Sequence, residues 1–204
     1  MKFAVTLAAA LFASTAAAAL PAPSPLVGPE EIQAGAYTID TKETLVRYAT
    51  MHMGFNEFWG TFPGATGTLN IDPKAISATH LDVTVPVKTV STTNTELDGQ
   101  FISNEFFDAK TYPVMRFVST DVERTGPATA KVTGRLTIHG VTRPVVLDVT
   151  FNAGGYNTFD KTPTIGFKGE TVVNRSDFGL GKYVPIVSDA TTITISAAFV
   201  KKKG

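Results

Sequence analysis

From residue 37 onward, apolar and polar side chains alternate with a period of two, in runs bounded by Gly, Pro, Asn and Asp. Successive side chains of a strand point to opposite faces, so each run predicts a strand with one dry face and one wet face. In 79–88, THLDVTVPVK, Leu81, Val83, Val85 and Val87 share a face, while His80, Asp82, Thr84, Pro86 and Lys88 take the other. In 130–139, AKVTGRLTIH, the apolar row is Ala130, Val132, Gly134, Leu136 and Ile138. After the turn signal GVTRP it continues through Val145, Leu147, Val149 and Phe151, and the last run offers Ile193, Ile195, Ala197 and Phe199. Roughly eight or nine such runs predict an all-β, antiparallel domain. Strands of this kind form either a sandwich or an up-and-down barrel, which removes exposed edges by closing on itself.

One stretch breaks the period. In 89–107, TVSTTNTELDGQFISNEFF, Leu97, Phe101 and Ile102 recur at near-helical spacing among polar residues, which predicts a short helical crossover. It ends on two adjacent phenylalanines, Phe106 and Phe107. A connection that folds back over an open barrel end needs apolar side chains to insert there, as a cap or as a ligand contact.

The termini read differently. Residues 1–19, MKFAVTLAAALFASTAAAA, join Lys2 to a short apolar stretch and a run of small residues, the pattern of a cleaved export signal. That apolar stretch is too short for a bilayer, which needs about 20 residues, and no later one is long enough, so no stable membrane insertion is expected. Residues 20–36 hold four prolines and two glycines and read as a linker, leaving 37–201 as one domain.

Composition narrows the chemistry. The 204-residue chain has no cysteine, which excludes disulfides and thiolate metal sites, and export without disulfides favours a bacterial periplasm. Loss of Lys2 with the signal leaves 17 basic residues against 18 acidic ones, so no field exists to attract nucleic acid. His52, His80 and His139 lie on separate runs without H-x-H or H-x-x-x-H spacing and give no metal or cofactor signal. No G-x-S-x-G elbow accompanies a histidine and an acid, so no catalytic residue is assigned.

Five stretches together resemble the YceI-like polyisoprenoid-binding family. YTIDTKETLVRYATMHMGFNEFWGTF is similar to its Y-x-I-D, V-x-F, H and G-x-F opening, and ELDGQFISNEFFDAKTYPVMRF to its D-x-H-L, F-F-D and Y-P series. VTGRLTIHGVTRPVVL and VNRSDFGLG resemble its G-x-L-T-I-x-G-V-T and N-R-x-D-F-G motifs, and the run from Asp189 to Val200 ends the domain as the family does. The chain departs from D-x-H-L at Asp98-Gly99-Gln100-Phe101, where glutamine replaces the family histidine. The resemblance implies a lipocalin-like, extended antiparallel β-barrel in the periplasm, with a lumen for a polyisoprenoid or another long-chain lipid. It leaves the oligomeric state open, a homodimer included. A lipid-modifying enzyme and a protein-interaction module with a filled, stress-protective barrel are the alternatives.

Two polar residues stand out within this frame. Arg175 ends the row Ile165, Phe167, Gly169, Thr171 and Val173, so a cation arrives at the end of an apolar face. It is expected either to pair with Asp177 or another carboxylate, or to meet a ligand head group with its bidentate fork. His52 shares a face with Val46, Tyr48 and Thr50, and is either a hydrogen-bonded structural residue or a head-group contact. Tyr48, Met51, Met53, Phe58, Trp59, Phe62, Phe106, Phe107, Tyr112, Phe117, Phe167 and Phe178 complete the expected ligand-binding set. A buried methylene is worth about 0.8 kcal/mol and a neutral hydrogen bond about 1 net, so a long tail would set affinity and the polar pair only direction.

Overall fold

The computed structural model describes residues 22–202. The expected export signal lies outside the described residues. Among those described, alternation becomes eleven antiparallel strands: β1 (Leu26–Val27), β2 (Gly35–Ile39), β3 (Leu45–His52), β4 (Asn56–Phe62), β5 (Thr66–Ile71), β6 (His80–Pro86), β7 (Val114–Arg124), β8 (Thr129–Ile138), β9 (Val141–Tyr156), β10 (Pro163–Asn174) and β11 (Val187–Lys201). The helical crossover is α1 (Thr95–Ile102). No helix among the described residues is long and apolar enough to cross a membrane.

Eight strands close the barrel in the order β2, β5, β6, β7, β8, β9, β10, β11 and back to β2. The final pairing sets Phe199 against Ile39 and Lys201 against Tyr37. Eleven strands stand where eight or nine runs were expected, β1 of the Pro-rich stretch among them. β3 continues the line of β2 along the same edge of β11, with Val46 opposite Ile195 and Tyr48 opposite Ile193. Between β4 and β5, Pro63 lacks an amide donor and Gly64 takes a φ of 85°, and the chain turns out of the ladder.

The wall is incomplete beside β4. Beyond its pairing with β3, the backbone of β4 is bonded among the described residues only where Thr61 and Ser91 exchange hydrogen bonds of 2.9 Å in each direction. The crossover fills this gap. Asn94 caps α1 by accepting from the amides of Glu96 and Leu97 at 3.1 and 3.2 Å, and acidic Glu96 and Asp98 suit its positive end.

The Pro-rich stretch differs from its expected role as a linker. β1 pairs with β9, Leu26 opposite Gly155 and Val27 opposite Gly154, and Ile32 is buried. The Tyr37 hydroxyl donates to the Gln33 carbonyl at 2.6 Å, holding this strap under one barrel end. The space comes from the partner strand. A Cβ on Gly154 would lie 2.7 Å from Ile32 Cγ2, so the two glycines of β9 let the strap seat, and prolines are tolerated on such an edge.

Strand contact is equally tight between β5 and β6, where a Cβ on Gly67 would sit 2.3 Å from the Asp82 carbonyl oxygen. Gly67→Ala is expected to destabilise the barrel by about 1–3 kcal/mol. Gly99→Ala in α1, where a Cβ meets nothing within 4 Å, is expected to stabilise it by up to about 1 kcal/mol. Thermal unfolding of the two variants measures both shifts.

Candidate functional site

The inward rows enclose a cavity of about 620 Å³. Leu81, Val83 and Val85 of β6, Val132, Leu136 and Ile138 of β8, and Ile193, Ile195, Ala197 and Phe199 of β11 line it, as their alternation requires. Its two ends differ in polarity. Toward the strap the wall is made of residues such as Ile39, Leu69, Ile71, Leu147 and Phe151, with the Glu30–Arg124 ion pair at its edge. Toward the crossover it gains Thr50, His52, Gln100, Thr171, Arg175, Lys182 and Thr191.

Of the residues expected to bind ligand, Tyr48, His52, Phe58, Phe62, Phe106, Phe107, Phe117, Phe167, Arg175 and Phe178 line this cavity. Met51, Met53, Trp59 and Tyr112 lie elsewhere. On β3, Tyr48, Thr50 and His52 face inward, so Met51 faces out and is 42% exposed. Met53 sits in the following turn with a φ of 55° and is 52% exposed. Trp59 alternates with Phe58 and Gly60 and is 45% exposed, its ring stacked under the Arg47 guanidinium at 4.1 Å. Tyr112 packs edge-on against His139, 4.7 Å between ring centres, where His139 occupies a turn with a φ of 50°. His80 stays on the exposed side of β6. Sequence reading missed Thr50, although it shares the parity of Tyr48 and His52, and Phe101, whose helical spacing with Leu97 marked the same inward face.

Phe101 is the centre of the crossover's contact with the barrel. Its ring lies 5.1 Å from Phe106, 6.3 Å from Phe107 and 6.2 Å from Tyr48, all near-perpendicular. Phe107 in turn meets Phe62 of β4 at 5.6 Å. The paired phenylalanines therefore have separate tasks: Phe107 seals the gap beside β4, and Phe106 reaches Tyr183 across the barrel end at 6.2 Å. Lys182 joins them, its Nζ 2.6 Å from Glu105 Oε2 and 5.4 and 5.1 Å from the Phe106 and Tyr183 ring centres.

Tyr48 is the most constrained polar side chain beneath the crossover. A Cβ on Gly60 would lie 2.4 Å from its Cε1, and its buried hydroxyl has no hydrogen-bond partner among the described residues. Burial pushes this phenol far above the ordinary tyrosine range, and the nearby Asp98 charge adds to the shift. Orphaned burial of a hydroxyl costs about 1–3 kcal/mol.

Arg175 does not form the expected ion pair with Asp177. It opens a 3₁₀ turn, Arg175–Phe178, and donates to four backbone carbonyls: Nε to Ser188 at 2.9 Å, one terminal nitrogen to Leu180 and to Lys182 (2.7 Å), the other to Val187 at 2.9 Å. Burial lowers its pKa, against the opposing pull of Asp189. Asp189 instead accepts from the Ser176 amide at 2.8 Å and the Ser176 hydroxyl at 2.6 Å, and these bonds hold its carboxyl below the usual range. Carbonyls belong to every residue, so no residue type in the sequence announces such a clamp. No group of three or more His, Cys, Asp or Glu among the described residues could hold a metal ion.

Fold and interior together define a closed, lipocalin-like barrel with a largely apolar lumen bordered by polar groups at its ends. The chain belongs to the YceI-like family, whose domain matches residues 37–199. It is 35% identical over 188 residues to a UPF0312 protein of Pseudomonas savastanoi pv. phaseolicola, covering 91% of this chain and 97% of that one. Among solved structures it resembles Burkholderia cenocepacia BcnA (TM-score 0.71, 27% identity, covering 78% of this chain and 98% of that one) and the Campylobacter jejuni YCEI protein (0.67, 30%, 74% and 90%). A polyisoprenoid binding domain from Saccharophagus degradans shares the fold at a TM-score of 0.61 and 13% identity, covering 83% of this chain and 100% of that one.

Because Arg175 holds the 180–188 loop, Arg175→Met is expected to cost about 2–4 kcal/mol in denaturant unfolding. Arg175→Lys is expected to recover only part of this, since one ammonium cannot span the same carbonyls. Asp189 makes a contribution to stability that depends on pH: its folded pKa is depressed, so the contribution is complete above the ordinary aspartate range and is lost as pH falls through the folded pKa. Unfolding of Asp189→Asn followed from neutral to acid pH is expected to converge on the wild type at the acid end.

Proposed function

We propose that this protein is an exported carrier that holds a polyisoprenoid, or a similar long-chain amphiphile, in the lumen of its barrel. The observation that carries the reading is the 620 Å³ cavity bounded by apolar side chains. Apolar walls facing a void lose the dispersion contacts that a filled core would make, and an apolar chain restores them. A filled barrel acting only through its outer surface would need interlocked side chains where this cavity lies.

Shape points to an elongated occupant. β11 has 15 residues, and at about 3.3 Å per residue and a tilt of about 35–45° the barrel is roughly 35–40 Å tall. A flexible chain laid along that axis gains about 0.8 kcal/mol for each buried methylene, before the entropy of ordering it. The polyisoprenoid binding of the Saccharophagus degradans domain supports the same ligand class. The strap-end charges Glu30 and Arg124 satisfy each other, while Thr50, Thr191 and His52 gather at the crossover end, which supports a head directed there and a tail toward the strap. The export pattern of residues 1–19 supports a periplasmic site of action.

Native mass spectrometry and organic extraction of the protein purified from its own host test this reading. A co-purifying long-chain lipid is expected, and its absence, together with failure to bind isoprenoid chains at micromolar concentration, would remove it. Gly169 lines the lumen, and a Cβ there makes only ordinary contacts, 3.6 Å to Ile195 Cδ1 at the closest. Gly169→Trp is expected to plug the lumen and abolish lipid retention while leaving a cooperative thermal transition.

A further inference from the structure

Four cations border the lumen among the described residues: Arg116, Arg124, Arg175 and Lys182. Each is already engaged. Arg116 is bidentate to Asp82, with bonds of 2.9 and 2.6 Å. Arg124, at the strap end, pairs with Glu30 and donates to the carbonyls of Gly126 and Pro127. Lys182 is paired with Glu105. Arg175 has five N–H groups, of which four donate to the carbonyls of its own loop, so its fork cannot close on an incoming anion.

What remains at the polar end is neutral hydrogen-bonding capacity. The Thr50 and Thr191 hydroxyls are bonded to each other at 3.0 Å and retain lone pairs. His52 packs against Phe58, 6.4 Å between ring centres, and its ring makes no hydrogen bond among the described residues, leaving the ring nitrogens for a ligand. The segment 87–113 over this end carries Glu96, Asp98, Glu105 and Asp108 against Lys88 and Lys110, and Lys182 facing it is paired with Glu105, so the rim has no net positive charge to draw anions in.

We propose that the lumen selects chains with an uncharged oxygen head, an alcohol or a carbonyl, over phosphorylated ones. The selection rests on the carrier reading above and adds the head-group chemistry to it. A phosphorylated head drawn into this end would be desolvated beside cations already engaged by carbonyls and carboxylates, whereas an alcohol needs only the neutral donors and acceptors present.

Geranylgeraniol and geranylgeranyl diphosphate share one hydrocarbon chain and separate the two cases. Each is titrated against full-length protein loaded with N-phenyl-naphthylamine, at about pH 8, where histidine side chains ordinarily carry no charge. The alcohol is expected to displace the dye at concentrations at least about tenfold lower than the diphosphate. Glu105→Gln, on the exposed surface, releases Lys182 and is expected to improve the diphosphate several-fold while leaving the alcohol unchanged. Equal or tighter binding of the diphosphate by the wild type, or an unchanged ratio in Glu105→Gln, overturns head-group selection and leaves the carrier standing. If neither compound displaces the dye, both fall together.

Discussion

β11 is hydrogen-bonded along both edges, to β10 on one side and to β2 and β3 on the other, and this closure constrains everything else. Once the sheet is a ring, the two faces of every strand become inside and outside. A one-residue slip in any ladder would turn an apolar row outward and a charged row inward. The alternation of β6, β8 and β11 is therefore a statement about register as much as about burial. With no free edge around most of the ring, the backbone is satisfied without a filled centre. The wall can stand around a cavity because its ladders, and not only its core, hold it.

A hollow centre makes the ends decisive. At one end the strap packs Ile32 against the glycines of β9 and closes the lumen with apolar side chains. At the other, Arg175 gathers the carbonyls of Leu180, Lys182, Val187 and Ser188 around one guanidinium and shapes the loop that meets the crossover. The same bonds fix the loop and remove the cation from ligand chemistry. Structural and functional roles that looked like competitors in the sequence are thus linked: Arg175 borders the lumen, but chiefly as the clamp of its rim.

Parity made much of this legible. The inward rows, and the arrival of Tyr48, His52, Phe167 and Arg175 at the cavity, follow from period two alone. Met51 and Trp59 were grouped with the lumen by residue type, and counting along their own strands from His52 and Phe58 turns both outward. The breaks between β2 and β3 and between β4 and β5 show as a change of parity: the inward residues are odd-numbered in β2 (Tyr37, Ile39) and even in β3 (Val46, Tyr48), even in β4 (Phe58, Phe62) and odd in β5 (Leu69, Ile71). The strap was invisible to such counting. Its seat is created by missing side chains at Gly154 and Gly155, more than a hundred residues away, and its own prolines argue against any strand. The carbonyl acceptors of Arg175 leave no compositional trace at all.

The section of wall beside β4 obeys different physics from the rest. Elsewhere, ladders of backbone bonds hold neighbours together. Here Thr61 and Ser91 supply one bridge, and the remainder is packing of Phe101 and Phe107 on Tyr48 and Phe62. No residue of α1 is fully buried, and the Glu105–Lys182 tie across the rim is an exposed pair, of a kind worth about 0–1 kcal/mol. The Tyr48 hydroxyl beneath it lacks a partner among the described residues, at a cost of about 1–3 kcal/mol. Local opening free energies follow such differences in bonding and contact, so hydrogen exchange is expected to be faster in the crossover than in β7 to β11. Adjacent phenylalanines in an otherwise polar connection are what keep that weaker section shut: where the ladder ends, apolar insertion replaces hydrogen bonding as the means of closing the wall.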